Sequence, residues 1–562
     1  MEPTTDQHDE PEVVATDDGA TAERGPSGRP QVWDAEVPAR ERRIAFVLLA
    51  LVLVAIVIVH LRAGLNRPIN WDESVYLTQV LVDRPAVFME PHRTRGMALL
   101  VAPIALLDPG MVALRSYLLL LVVAGTAAAF WPWIRTIGWA ASLAAALFSL
   151  HWVTVFYAVE VLPSFPTALL SVAATGVVAQ ALMGERVARW HGPVLGGLFL
   201  LHALVRPPDA VVIGLGVAIV VLVFSRDRAV TLLAPAAAGG VVGLGAWLVE
   251  GWVRFGFSPV AMATSASEYS VDGDQFLQLP LYVRSLDRTL RCAGSCIDDY
   301  LAEGAPWQLP SMRTPAFLVA VAIAIAVGLL VGRRQRLPLL AALVPAAGIV
   351  LLYGTVGSVM NLRYMMPAFA TGVLAAAIGV RVAWKRLPRR PFYDVGRIGL
   401  VLVVLATLAW QAGYGTDRLS STNQTRYRAH DLGLAVQEHL DDGPCAVGAA
   451  VNYPQLQYWT GCATAPVVRG RDGELQDPLG ELGSYVDLSA AAESGAQVFA
   501  VIRADPPAAS PVAAWERLPS PLAEDRGFEV RRWSPGDPLP APPCPGPGGP
   551  DRRLADVLSE SC

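Results

Sequence analysis

The sequence predicts a polytopic α-helical membrane protein of about eleven transmembrane helices with a C-terminal extracytoplasmic α/β domain. Three observations lead there. Hydrophobic residues make up 53 % of the 562 residues and charged residues only 17 %, whereas soluble domains run to about 45–50 % apolar and about 25 % charged. That excess excludes a water-soluble enzyme and a disordered chain, and lipid is its natural surrounding. Apolar runs long enough for a bilayer core recur through the first 414 residues, and arginines and cysteines are sorted between alternate connections.

The first 39 residues hold ten acids against two arginines and are rich in Pro, Gly, Ser and Thr. Such a composition cannot bury a core, so residues 1–43 are expected to be a disordered acidic cytoplasmic tail. It is too long and acidic for a signal-peptide n-region, and no basic nucleic-acid face is present. The transmembrane region, 44–414, contains apolar runs at 44–61, 112–134, 138–157, 163–183, 192–205, 209–224, 230–252, 315–332, 337–356, 362–382 and 397–414. The runs 192–205 and 209–224 are short enough for a re-entrant pair, and Gly96–Leu107 is short enough to be interfacial.

Orientation follows from the basic residues. Arg40, Arg42 and Arg43, then Arg135, Arg186, Arg189, Arg226, Arg228, Arg333, Arg334, Arg336, Arg381, Lys385, Arg386, Arg389 and Arg390 all fall in alternate turns, whereas the other short turns carry only Arg206 and Arg363. This places the N-terminus in the cytoplasm and the loops at about 62–111 and 253–314, with the tail 415–562, outside. All six cysteines lie in those outer segments, an even number suited to an oxidising compartment. Pairing of neighbours (292–296, 445–462, 544–562) is expected, and the spacings match no zinc template.

The tail alternates helix and strand: Tyr427–Leu440 helix, Cys445–Val451 strand, Pro454–Trp459 short helix, Ala463–Val468 strand, Leu479–Ser494 helix, and strands at Gln497–Arg503 and Phe528–Trp533. That rhythm implies a small α/β domain, followed by an irregular Pro/Gly-rich stretch, Pro535–Pro550.

Just beyond the first span stands Asn70-Trp71-Asp72-Glu73-Ser74-Val75-Tyr76-Leu77. Adjacent carboxylates at an interface can deprotonate a hydroxyl, hold a cation or start a helix; here the helix would be Glu73–Leu81 with Asp72 as its cap. A first span followed by Trp-Asp-Glu-x-x-Tyr-Leu resembles the GT-C glycosyltransferases, polytopic enzymes that use lipid-phosphate-linked sugars, and among them the protein O-mannosyltransferase and lipid A aminoarabinose transferase group. His92-Arg93-Thr94-Arg95-Gly96, Pro103, Ala113-Leu114-Arg115 and Arg363-Tyr364-Met365-Met366-Pro367 continue the likeness, which covers about 44–415.

The resemblance implies an inverting transfer of a hexose or pentose from a polyprenyl-phosphate donor to a hydroxyl of a cell-wall glycan, lipid or protein at the extracytoplasmic face of the cell membrane. Asp72 would be the general base, and Glu73 would orient substrate or a cation. Arg363 with Tyr364, and Arg206, would hold the departing phosphate, for which a guanidinium fork is suited. Arg206 has a second reading as the partner of Asp209. His92, Arg93 and Arg95 would contact the donor headgroup or snorkel to lipid.

One position departs from the pattern. Ser164 stands where relatives often carry an acid, and Glu160 lies one turn earlier, either as the second carboxylate or as a solvent-facing helix end. No cofactor is called for, and a divalent cation is left open. A transporter or lipid flippase is the rival class; it would need similar spans, but no internal repeat is visible. A non-catalytic relative with a binding module as its tail is the third.

Overall fold

The computed structural model describes residues 37–256 and 313–538, except positions 83, 88, 90, 108–109, 185–186, 333–334, 356–360, 388–390, 450–452, 467–487 and 505–510. Residues 1–36 of the expected acidic tail, most of the loop 253–314, the cysteine pairs 292–296 and 544–562, and most of the Pro/Gly-rich segment lie outside these residues, whereas residues 39–43, expected in the disordered tail, belong to the first helix.

Each of the eleven apolar runs falls on helix. The helices are α1 (Ala39–Ala63), α2 (Trp71–Leu77), α3 (Gly96–Ala105), α4 (Met111–Ile137), α5 (Trp139–Ser149), α6 (Trp152–Tyr157), α7 (Ser164–Met183), α8 (His191–Val205), α9 (Pro207–Phe224), α10 (Ala229–Phe255), α11 (Arg313–Val331), α12 (Arg336–Thr355), α13 (Met366–Arg386) and α14 (Pro391–Gln437). Among the described residues, eight helical stretches are long and apolar enough to cross a membrane, so the chain is a multi-pass membrane protein. The runs at 138–157 and 192–205 instead give shorter apolar helices, the run 315–332 lies on the 19-residue α11, and α3 is ten residues long.

Two elements differ from expectation. The run 138–157 is broken after Ser149, and His151 caps α6 by accepting the Val153 N–H at 3.3 Å. The last span and the first helix of the tail are one helix of 47 residues, which passes through the expected boundary at 414/415. The polar stretch between them, Thr416–Arg426, interrupts the apolar pattern without breaking the backbone ladder, since it contains neither glycine nor proline.

Two ends of the bundle can be told apart by their ion pairs. At one end Glu41, at the start of α1, meets Arg381 (2.9 Å) and Lys385 (3.7 Å) near the end of α13. At the other end gather the residues after α1, before α4, between α6 and α7, between α8 and α9, and before α13; this alternation matches the arginine sorting. Helices pack closely where small residues face each other. A Cβ on Gly239 of α10 would lie 1.9 Å from the Gly196 carbonyl oxygen of α8, and one on Gly96 of α3 would lie 2.3 Å from the Leu204 carbonyl oxygen. The second approach seats the chain between α2 and α4 against the bundle. On α1 and α14, Val47, Leu51, Leu402 and Val403 are 60–62 % exposed, apolar surface that suits contact with lipid.

Beyond α14 the strands β1 (Cys445–Ala449), β2 (Ala463–Pro466), β3 (Gln497–Arg503), β4 (Glu516–Leu518) and β5 (Phe528–Arg532) form a sheet ordered β2-β1-β3-β5-β4. β1 is parallel to β2 and β3, while β5 is antiparallel to β3 and β4. Helices α15 (Tyr453–Thr460), α16 (Leu488–Glu493) and α17 (Pro521–Glu524) lie between strands. Alternate strand residues serve two cores, as the period of two requires: Val447, Phe499, Val501 and Val530 pack with Leu432 and Val436 of α14 on one face, and Ala446, Val498, Ala500 and Ile502 pack with Trp515 on the other. Cys445 and Cys462 form the expected disulfide across this unit. β4 and α17, too short to register as patterns in sequence, complete the edge.

Candidate active site

The site begins with a helix start. Asn70, not Asp72, is the N-cap of α2: its side-chain oxygen accepts the Glu73 N–H at 2.9 Å, and the Glu73 carboxylate accepts the Asn70 N–H at 2.9 Å. This is an Asn-x-x-Glu capping box, and it leaves the Asp72 carboxylate free for other partners. The helix ends at Leu77 rather than Leu81.

Asp72 is held by two arginines that are 270 residues apart in sequence. Arg93 Nη2 donates to Oδ1 at 2.8 Å and Arg363 Nη1 donates to Oδ2 at 2.8 Å. Arg93 also lies over the rings of Trp71 (5.4 Å) and Tyr76 (5.5 Å). Burial alone would raise the Asp72 pKa, but Arg363 and then Arg93 hold the carboxyl well below the usual carboxylate range.

Arg363 stands in a short 3-10 turn, Leu362–Met365, which Asn361 caps by accepting the Arg363 N–H at 3.1 Å. Asn361 in turn accepts the Tyr157 hydroxyl at 3.3 Å. Pro367 follows in the first turn of α13, where a missing N–H costs nothing. Tyr364 lies beneath both guanidiniums, with Arg363 5.4 Å and Arg206 4.3 Å from its ring centroid. Tyr353 stacks on Tyr364 at 5.4 Å, and its hydroxyl bonds Asp209. Arg206, capping α9 between Val205 and Pro207, pairs with Asp209 at 3.6 Å and donates to the Ser164 hydroxyl at 3.4 Å. Arg206 therefore both pairs locally, as its second reading expected, and joins the aromatic floor next to Arg363. Ser164, at the departure from the family pattern, is one of its ligands.

Other expected residues are placed elsewhere. Glu73 is fully buried behind Asp72. The Arg115 fork grips both its oxygens, one at 2.9 Å, and the Val161 N–H donates to Oε1 at 2.8 Å. Burial opposes ionisation of Glu73, and Arg115, Arg426 and the Val161 N–H together outweigh it, so its pKa is lowered. Both Glu73 oxygens are thus engaged inside the protein, by Arg115 and by the N–H groups of Asn70 and Val161. Glu160 does not face water: it is 2 % exposed, accepts the Asn70 amide at 2.9 Å and pairs with Arg426 of α14. Arg95 turns toward α10, bonding Glu250 at 2.7 Å and Gln79 at 3.0 Å. His92 lies in the turn just before Arg93.

Arg115, Arg426, Asn70 and Asn361 are structural partners that the sequence reading did not assign. A charge four residues inside an apolar run was a signal for Arg115; Arg426, in a polar tail, carried none. As for a cation, every oxygen of Asp72 and Glu73 already accepts from arginine or backbone N–H, a donor set that does not fit one. Among the described residues no three His, Cys, Asp or Glu side chains converge as a metal-holding group.

No protein-family profile matches the sequence, and no curated protein does. Solved structures do match. ArnT from Cupriavidus metallidurans bound to undecaprenyl phosphate aligns with a TM-score of 0.55 at 15 % identity, over 87 % of this chain and 98 % of that one. The same protein in the apo state aligns with a TM-score of 0.57 at 13 % identity, over 87 % of this chain and 97 % of that one. The alignments run over most of both chains, and the protein has the fold of ArnT, a lipid A aminoarabinose transferase of the GT-C superfamily.

Proposed function

We propose that this protein transfers a sugar from a polyprenyl-phosphate donor to a hydroxyl acceptor at the extracytoplasmic face, with inversion. The observation that carries the reading is the Asp72 carboxylate bridged by Arg93 and Arg363 beside the Arg206–Tyr364 floor. That ArnT, of the same fold, binds undecaprenyl phosphate supports the class of donor. The arginine sorting supports a cytoplasmic N-terminus and an extracytoplasmic site, and the disulfide agrees with that side.

The chemistry is one displacement. The acceptor oxygen attacks the anomeric carbon, the bond from that carbon to the phosphate oxygen breaks, and the electron pair leaves with the phosphate. Asp72 takes the hydroxyl proton. Arg363 and Arg206, fixed by aromatic rings and by Asp209, meet the charge that develops on the leaving phosphate. Asp72 pinned by two guanidiniums is a weak base. A donor phosphate competes for Arg363, and as that arginine turns to the phosphate the carboxylate gains basicity in the complex where it is needed. No step runs through a metal.

The test is purified protein in nanodiscs given a panel of polyprenyl-phosphate hexoses and pentoses with glycan, lipid and peptide acceptors. Transfer by the wild type, lost in Asp72→Asn while undecaprenyl phosphate still binds, is expected. Binding of the lipid phosphate with no transfer from any donor, and movement of the lipid across the bilayer that Asp72→Asn leaves intact, would replace this reading with a flippase.

A further inference from the structure

The helix that carries Asp72 is seven residues long. A helix this short does not hold itself in water, because nucleation is costly; its capping box fixes the start but not its place. The segments that flank it are held from the other end of the chain. Arg426 of α14 reaches inward, 5 % exposed, to pair with Glu160, whose second oxygen accepts the Asn70 amide at 2.9 Å. The next residue, Tyr427, donates its hydroxyl to the Asn66 carbonyl at 2.9 Å. From α15, Gln455 donates to the Ile69 carbonyl at 2.8 Å and Gln457 to the Pro85 carbonyl at 2.7 Å. Arg84 closes the set, bonding the Tyr458 carbonyl and lying over the Tyr458 ring at 4.9 Å. These contacts flank α2 on both sides in sequence, at 66–70 and at 84–85. α15 is itself held by the disulfide from β1 to Cys462 and by Trp459, which packs edge-on against His430 of α14 at 4.6 Å.

We infer that the C-terminal α/β domain is a clamp that positions the base helix, with Arg426 and Gln455 as its positioning residues. The inference rests on the proposed sugar transfer for the identity of the base, and it gives the domain a task that requires no ligand of its own. Misplacing a reacting group by about 1 Å can cost about 10²-fold in rate, so a domain that fixes the approach to Asp72 governs turnover without touching substrate. Charge alone does not explain Arg426. Behind α2, Arg67 and Arg115 also face Glu73 and Glu160, so Glu160 keeps basic neighbours when Arg426 is removed. Its loss is therefore felt as freedom of Glu160 and Asn70.

The experiment uses the full-length protein with Arg426→Gln, Arg426→Lys and Gln455→Leu. Arg426→Gln is expected to lower kcat by about tenfold or more with the donor KM little changed, and Arg426→Lys to restore part of it. Hydrogen exchange at the amides of residues 69–80 is expected to speed up in Arg426→Gln and, less, in Gln455→Leu, with α7 and α13 unchanged. Should Arg426→Gln fail to fold, Gln455→Leu decides on both readouts. Wild-type kcat together with unaltered exchange at 69–80 would overturn the clamp. A wild type that transfers no sugar would sink the proposed reaction instead, and the exchange measurement would still decide whether the domain holds the helix.

Discussion

Asp72 and Glu73 are neighbours in sequence, each is tied to arginine, and they belong to two different regions. The Asp72 side chain is 14 % exposed, and its partners Arg93 and Arg363 are 11 % and 12 % exposed. The Glu73 and Arg115 side chains are 0 % exposed. Successive helical residues do not face the same way, so a single step along α2 separates a carboxylate at a cleft from one in the interior. The front pair can exchange partners with an incoming anion because the site is reachable. The rear pair cannot, and exchanging it would leave a buried charge uncompensated. The same chemistry of pairing thus serves a reaction in one place and architecture in the other.

The largest effect that would sharpen this contrast is at Asp72. A general base typically contributes about 10²–10⁴-fold, so Asp72→Asn should lose that much in kcat while the protein inserts, purifies and binds undecaprenyl phosphate. Unaltered turnover would erase the distinction between the two regions. Next is Arg115→Met, which strands Glu73. Breaking a buried pair costs about 3–5 kcal/mol, so this variant should unfold at markedly lower temperature in detergent, and the fraction that remains folded should keep its donor KM. A donor-specific defect with full stability would move Arg115 into the front region.

Asp72, Arg93, Arg206 and Arg363 were legible in sequence, but of their ion-pair partners only Asp209, three residues from Arg206, was. Arg363 stood out as an arginine on the wrong side of the topological bias with no acid nearby in sequence; its acid is Asp72, 291 residues away. No local pattern encodes such a distance. Asn70 was legible in principle, since Asn-x-x-Glu is a cap signature, but the pair of carboxylates draws attention to Asp72. Arg426 lies in a stretch read as tail, and only the continuity of α14 brings it under the first loop. The membrane helices were plain from apolar runs because lipid enforces them. The short strand β4 and helix α17 are set by tertiary packing, which propensity over three or four residues cannot report.

A smaller effect probes how the front region handles phosphate. Arg363→Lys keeps the charge and loses the fork, so it should raise the donor KM by about tenfold. Arg363→Ala should raise it further, and in both variants the stability should change less than in Arg115→Met. Wild-type KM in both would make Arg363 a structural partner of Asp72, like Arg115 of Glu73, and the phosphate would have to be sought at Arg206.

The smallest effect at neutral pH, and the one most specific to the front region, is a shift in a pH profile. Two guanidiniums hold the Asp72 pKa below the usual value near 3.9. A base works only when deprotonated, so kcat/KM falls as pH drops through the pKa of the free protein. In the wild type that fall lies below the ordinary carboxylate range, and the profile should be level from pH 5 to 7. The stabilisation that this pairing adds to the fold has the same sign: present at neutral pH and lost only as pH falls through the lowered value. In Arg93→Gln one of the two opposing charges is gone, while burial still pushes the pKa up and Arg363 still pushes it down. The acid limb must therefore move to higher pH. Measuring kcat/KM from pH 4 to 8 in the two proteins tests this. A limb that stays where it was would mean that the protonation of Asp72 does not control the rate, and the front region would then differ from the rear in exposure alone.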